Sequence, residues 1–408
     1  GRKNNSRCLL ANQIRVLALR KLTFHTLRLI TMSCSSFPVH ASSLQSKDNL
    51  VRTRSEQVQT KAGEHGWDVC RGSRKDGLQR LTMIPPAVTR AIGNLAGGAA
   101  VAGGYACGKI GEAVGGEKAV DSDPFHAGAM SWLWCNGIFP QISFESTEES
   151  AGQLSRFYGT PDFDLEDDDM EQTPLLLANH ISYLDGPVLA ACFRSPKIVA
   201  MAGTRNVPVV GKLMEEMDTV FVDRGDRGSR NATQEAIKTH CDQWTPGEKP
   251  MLIFPEGTTT NGEGLLEFKK GAFVPGAPVR PVIIVYTGQW DPACTTYRDG
   301  TSGLKENSDA EWALQFAGHF VHSMHIRVLA PYMPSEAERG NPDLYAKNCQ
   351  AHMARELERV RRELYEASWR KAAGRTKGGL SYKFGDMSRA ILKNVGACLA
   401  NLLEPKSD

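Results

Sequence analysis

The sequence predicts an α/β fold, a mixed sheet flanked by helices, and two observations carry that prediction. Short apolar runs at 174–178, 197–202, 219–222, 251–254, 279–286 and 326–329 have the length and composition of buried strands. Between them lie helical patterns at 188–193, 209–217, 229–244 and 310–324, the last placing Trp312, Phe316 and Phe320 at i, i+4 and i+8. Strands alternating with helices place this α/β domain at residues 146–333 of the 408-residue chain.

In chain order, residues 1–86 read as a leader outside the fold. No acidic residue precedes Asp48, while Arg2, Lys3, Arg7, Arg15, Arg20, Lys21 and Arg28 are interspersed with Ser and short apolar runs. That pattern fits an organelle transit peptide, and equally a disordered leader. Residues 87–145 read as membrane-associated segments. The run 91–107 is uncharged but rich in Gly and Ala, a weak candidate for a spanning helix. The run 127–144 carries Trp132, Leu133, Trp134, Ile138 and Phe139, which suits a helix at the lipid headgroup level or an apolar cover for the following domain. The carboxylates from Asp162 to Glu171 lack the central Gly and closing Glu of a calcium loop and read as a solvated linker. Residues 334–408 read as a basic tail with a helical segment over 343–373.

Composition excludes several classes. With 48 Lys+Arg against 46 Asp+Glu, the net charge of +2 gives no case for a nucleic-acid partner. The ten cysteines include no C-x-x-C pair, which argues against a disulfide framework or a structural zinc site. No metal site and no cofactor are expected. The stretch Gly103 to Ile110 approaches a phosphate-binding P-loop, but Ile110 stands where a Ser or Thr should meet Mg²⁺.

The strongest chemical signal is Asn179-His180-Ile181-Ser182-Tyr183-Leu184-Asp185, placed where the strand 175–178 ends. Ligands bind at strand ends in open α/β folds. A carboxylate on one imidazole nitrogen fixes the tautomer and stabilises the imidazolium, which makes His180 and Asp185 a candidate base and orienter. The competing reading, a helix cap by Ser182 or Asp185, leaves His180 unexplained. Phe254-Pro255-Glu256-Gly257-Thr258-Thr259-Thr260-Asn261 follows a second strand, and its Gly, hydroxyls and amides suit polar headgroup atoms or a developing oxyanion. Val220 to Arg224 ends a third strand with Asp223-Arg224, a phosphate grip or a surface ion pair. Lys269 and Lys270 beside Gly271 suit phosphates too, although exposed lysines near turns are common.

Together these elements resemble the glycerophospholipid acyltransferase family. Its first motif, N-H-x-x-x-x-D, is met at Asn179, His180 and Asp185; its second resembles 220–224, its third is met at 254–257, and its fourth resembles 275–282. The longer stretches FPEGTTTN, FKKGAFVPGAPVRPV and YMPSEAERGNPDLYAKN are similar to the lysophosphatidylcholine and lysophosphatidylethanolamine branch. The resemblance covers about 129–353, and no EF-hand pair follows it, so calcium regulation is not implied.

The resemblance implies transfer of a fatty acyl group from acyl-CoA, as co-substrate, to a lysophospholipid hydroxyl at a membrane. His180 and Asp185 would be catalytic; Asn179, Arg224, Glu256, Gly257, Thr258 and Lys269 would bind substrate. No Ser or Cys nucleophile is needed because the thioester arrives activated, and no G-x-S-x-G elbow is present. The four motifs also serve lysophosphatidic acid and glycerol 3-phosphate as acceptors. A non-catalytic membrane lipid-binding protein is the rival of a different class, and intact His180, Asp185 and Glu256 count against it. The endoplasmic reticulum is the expected membrane by resemblance, with a plastid or mitochondrion kept open by the basic leader.

Overall fold

A computed structural model describes residues 84–159, 170–287, 296–299, 303–306 and 309–375. The leader up to residue 83, most of the acidic linker and the tail after residue 375 lie outside the described residues. The chain divides into two compact units, residues 1–358 and 359–408.

In order, the elements are α1 (Ile84–Ala113), α2 (Asp123–Cys135), β1 (Ile138–Phe144), α3 (Glu148–Tyr158), β2 (Leu175–Ala178), α4 (Asp185–Cys192), β3 (Lys197–Met201), α5 (Val210–Glu216), β4 (Val220–Val222), α6 (Arg227–Gln243), β5 (Met251–Ile253), β6 (Val279–Thr287), β7 (Thr296–Asp299), β8 (Gly303–Glu306), α7 (Asp309–Ala317), β9 (His322–Val328), α8 (Glu336–Arg339) and α9 (Pro342–Arg375). Seven strands form one mixed sheet in the order β1-β9-β6-β2-β5-β3-β4, and β7 pairs with β8 separately. Strands β6, β2, β5, β3 and β4 are mutually parallel, so their carboxyl ends share one edge. Strand β9 runs antiparallel to β6, which brings its amino end to that same edge.

The apolar runs explain the sheet's centre. Leu175, Leu176, Leu177 and Ala178 of β2 are all buried, as are Val279 to Val285 of β6, the mark of strands covered on both faces. On β9, burial alternates with period two.

The sheet is wider than expected. Strand β1 pairs in parallel with β9 from Ile138↔His322 to Phe144↔Val328, ahead of the expected domain start at 146. The uncharged run 127–144 is therefore half helix and half strand, separated at Asn136-Gly137, where Gly137 has φ 66°. Nor does the helical pattern 310–324 run through. Helix α7 stops at Ala317, Trp312 and Phe316 join the core, and Phe320 is exposed in the turn before β9. Pairing of Ser323 to Val328 with β1 and β6 satisfies more backbone than two further helical turns would.

Gly- and Ala-rich α1 lies against α2. A Cβ on Gly93 would sit 2.0 Å from Cys135 O, and one on Gly104 would sit 2.1 Å from Pro124 O, so the helices approach to backbone contact. The near P-loop is thus a helix interior, with Lys109 paired to Glu112 at 2.9 Å and Glu216 at 3.2 Å. Leu133 is buried and Trp132 packs on the core, as in the reading of these aromatics as an apolar cover. Among the described residues, no helix is long and apolar enough to cross a membrane.

The segment after 334 does not begin a separate tail. Ser335 and Glu338 form a capping box on α8, and buried Tyr345 of α9 donates to Ala277 O at 2.9 Å within the first unit. In the second unit, the described residues 359–375 are helical, with Arg359 and Glu363 at 3.6 Å.

Candidate active site

Where β2 runs out, Asn179 continues its pairing through a side chain. Its Nδ2 donates to Ile284 O at 3.0 Å and its Oδ1 accepts from Ile284 N at 2.7 Å. Expected at the substrate, Asn179 is instead buried and spends its amide on β6.

His180 is held from four directions. Its backbone N–H donates to Glu256 Oε1 at 2.9 Å, and its carbonyl accepts from Thr260 N at 2.8 Å. Its ring stacks on Phe254 with centroids 4.2 Å apart, and Nδ1 lies 2.9 Å from Asp185 Oδ2. The side chain keeps 21% of its surface exposed while Asp185 keeps none. Asp185 Oδ2 also accepts from Ile181 N at 2.6 Å and Ser182 N at 2.8 Å. Since Oδ2 already acts as an acceptor to two backbone N–H groups, Nδ1 is the donor in the contact with it, which leaves Nε2 as the ring's acceptor. Asp185 faces back over the loop before α4 rather than capping that helix, so the helix-cap reading does not account for it.

Glu256 sits under this loop, 2% exposed, with Oε1 on His180 N and Oε2 on Leu266 N at 2.9 Å. Burial pushes its carboxyl up to about 8, against the two N–H donors that favour the charged form. Expected to hold substrate, its oxygens brace two loops. Gly257 turns with φ 69°, and Lys269 passes close to it, its backbone N–H donating to Pro255 O at 2.8 Å. Thr258 is half-buried in the same loop, and the Lys269 side chain is exposed.

Arg224 is exposed at the end of β4, and its carbonyl accepts from Arg230 Nη1 at 2.6 Å. The Asp223 carboxylate caps its own turn through Gly225 N at 2.9 Å. Strand β4 lies three places from β2 in the sheet, about 14 Å at the usual spacing, so Arg224 shares the edge but not the immediate surroundings of His180.

One residue of the site gave no motif-level signal. Tyr286, at the end of β6, donates from its hydroxyl to Asp185 Oδ1 at 2.7 Å. Its only trace in the sequence is a polar-tipped aromatic closing an apolar strand, since such a hydroxyl wants a partner.

Residues 164–285 match the sequence model of the Acyltransferase family. Over 188 residues the chain is 39% identical to human lysophosphatidylcholine acyltransferase 1, covering 46% of this chain and 33% of that protein. It is 35% identical over 186 residues to lysophosphatidylcholine acyltransferase of Drosophila melanogaster, covering 45% and 33%. With human lysophospholipid acyltransferase LPCAT4 it shares 36% over 189 residues, covering 46% and 34%. The chain therefore spans about a third of the length of these curated relatives. Among solved structures, the 1-acyl-sn-glycerophosphate (LPA) acyltransferase PlsC of Thermotoga maritima aligns with 69% of this chain and 95% of its own, at TM-score 0.37 and 17% identity. The loop that presents His180 and Asp185 falls within residues 164–285, the segment that matches the Acyltransferase family model.

Proposed function

We propose that the protein transfers a fatty acyl group from acyl-CoA to the free hydroxyl of a lysophospholipid, lysophosphatidylcholine or lysophosphatidylethanolamine. The observation that carries this reading is the His180–Asp185 pair, with Nδ1 given to the carboxylate at 2.9 Å and the ring partly open to solvent. Nε2 takes the proton of the acceptor hydroxyl as that oxygen bonds to the thioester carbonyl carbon. The C–S bond then breaks, and the imidazolium returns the proton to the departing coenzyme A thiolate. Asp185 stabilises the imidazolium between these events, and positioned base catalysis contributes about 10²–10⁴-fold.

Glu256 and Asn179 serve as braces for the His180 loop, while Gly257, Thr258, Lys269 and Arg224 line the same sheet edge, where the two cations suit phosphate groups. The names of the curated relatives favour a lysophospholipid acceptor.

Attachment to a membrane, in this reading at the endoplasmic reticulum, is monotopic and runs through α1. Val88, Ile92, Leu95 and Ile110 are exposed along that helix, and no charged residue occurs from Ala91 to Gly108.

The test is transfer of labelled acyl groups by membranes holding the protein, across lysophosphatidylcholine, lysophosphatidylethanolamine, lysophosphatidic acid and glycerol 3-phosphate. Product from the first two that disappears in His180→Ala supports the reading. Product from the latter two alone moves the acceptor, and none from a folded wild type overturns transfer in favour of lipid binding.

A further inference from the structure

Asp185 accepts three donors on one oxygen, from His180 Nδ1, Ile181 N and Ser182 N, and one on the other, from the Tyr286 hydroxyl at 2.7 Å. Were donors confined to Oδ2, the carboxylate would be free to swing about its last torsion, a soft rotation in Asp. A donor on Oδ1 pins the plane.

The sheet delivers that donor. Register between β2 and β6 reaches Ala178↔Val282, and the Asn179 side chain prolongs it to Ile284. Tyr286 follows two residues later, beyond the end of β2, where the chain has already turned into the His180 loop. Alternation along a strand gives residues two apart the same face.

We propose that Tyr286 is a positioning residue for the proposed reaction: its hydroxyl fixes the plane of the Asp185 carboxylate and draws charge from it, so that His180 stays neutral and correctly turned. The inference rests on His180 acting as the base. Its chemistry follows from the donor count. Every donor added to a carboxylate weakens that carboxylate's hold on a neighbouring imidazolium, so the four-donor Asp185 orients the ring without raising its basicity as far as a less solvated carboxylate would. Titratable groups bear on Asp185 from three elements: His180 on its own loop, Glu256 from the loop after β5 and Tyr286 from β6. The alternative is a strand-end tyrosine that merely satisfies its own hydroxyl.

The two roles separate experimentally. Tyr286→Phe keeps the ring and removes the donor. In histidine-labelled protein, with the His180 signal assigned through His180→Gln, the NMR titration of His180 moves up by on the order of half a unit. In acyl transfer, kcat falls about tenfold with KM unchanged, and the acid limb of the pH profile moves upward with the ring. Placing 3-fluorotyrosine at position 286, a stronger donor of nearly the same shape, moves the His180 titration downward, and serves should the Phe variant fail to fold. An unmoved ring in both variants, or a Phe variant with wild-type kcat and pH profile, overturns the proposal. Absence of acyl transfer in the wild type sinks the proposed reaction alone, because the ring titration reads the Tyr286–Asp185–His180 chain without it.

Discussion

His180 and His322 stand at the same edge of the sheet, each with its ring on a phenylalanine: Phe254 at 4.2 Å for the first, Phe316 at 4.6 Å for the second. They differ in the group each faces. His180 meets the buried Asp185 carboxylate and remains partly open, whereas His322 is fully buried with Arg90 Nη2 3.1 Å from its Nε2. Arg90 also stacks over Phe316 and donates to His319 O. Burial first, and the Arg90 charge second, push His322 down to about 3, while burial pushes the Arg90 guanidinium down to about 10. One ring thus faces a carboxylate and solvent, the other a guanidinium inside the core. In this fold the sign of the partner and access to solvent, more than the imidazole itself, separate the proposed base from a core residue.

Replacing the favourable partner gives the largest effect. In Asp185→Asn the neutral amide no longer stabilises the imidazolium, and with its NH2 in the place of Oδ2 it donates to Nδ1, favours the wrong ring tautomer and leaves Ile181 N–H and Ser182 N–H without an acceptor. Acyl transfer falls by about 10²–10⁴-fold with secondary structure intact by circular dichroism. A smaller loss follows from the brace beneath. Glu256→Gln leaves either His180 N–H or Leu266 N–H without an acceptor, costing about 1–3 kcal/mol in a melt and about tenfold to a hundredfold in kcat.

His322 sharpens the comparison through stability. Its folded-state value of about 3 lies below the ordinary 6.5, so the unfolded chain binds the extra proton between those values. The favourable state is present above pH 6.5 and is lost as pH falls toward 3, by about 1.4 kcal/mol per pH unit for one proton. His322→Gln, neutral throughout and still able to accept from Arg90, should flatten the acid side of a stability-versus-pH curve by that slope. The smallest effect is expected at the stacking ring: Phe254→Leu keeps an apolar floor under His180 and lowers kcat only severalfold.

Much of this site was legible because its signals are local. Four consecutive apolar residues followed by Asn179-His180 place a polar loop at a strand end, and the spacing to Asp185 brings its carboxylate to the ring within one short turn. Glu256 was legible as a site residue, but its role was not. Whether its carboxylate points to solvent or inward onto His180 N depends on packing between loops 76 residues apart. Tyr286, 101 residues from Asp185, reaches it only because β6 lies beside β2, and a single sequence gives no strand order. The same blindness cost β1, hidden in an uncharged aromatic run, and the end of α7, where the aromatic spacing outlasted the helix. Tertiary pairing decided both.

The most direct test sets the two histidines against each other: acyl transfer to lysophosphatidylcholine by wild type, His180→Gln and His322→Gln, each checked for folding. His180→Gln should lose transfer by at least about a hundredfold while His322→Gln keeps kcat within about twofold. Comparable losses in both folded variants, or survival of transfer in His180→Gln, would contradict the assignment of His180 as the base.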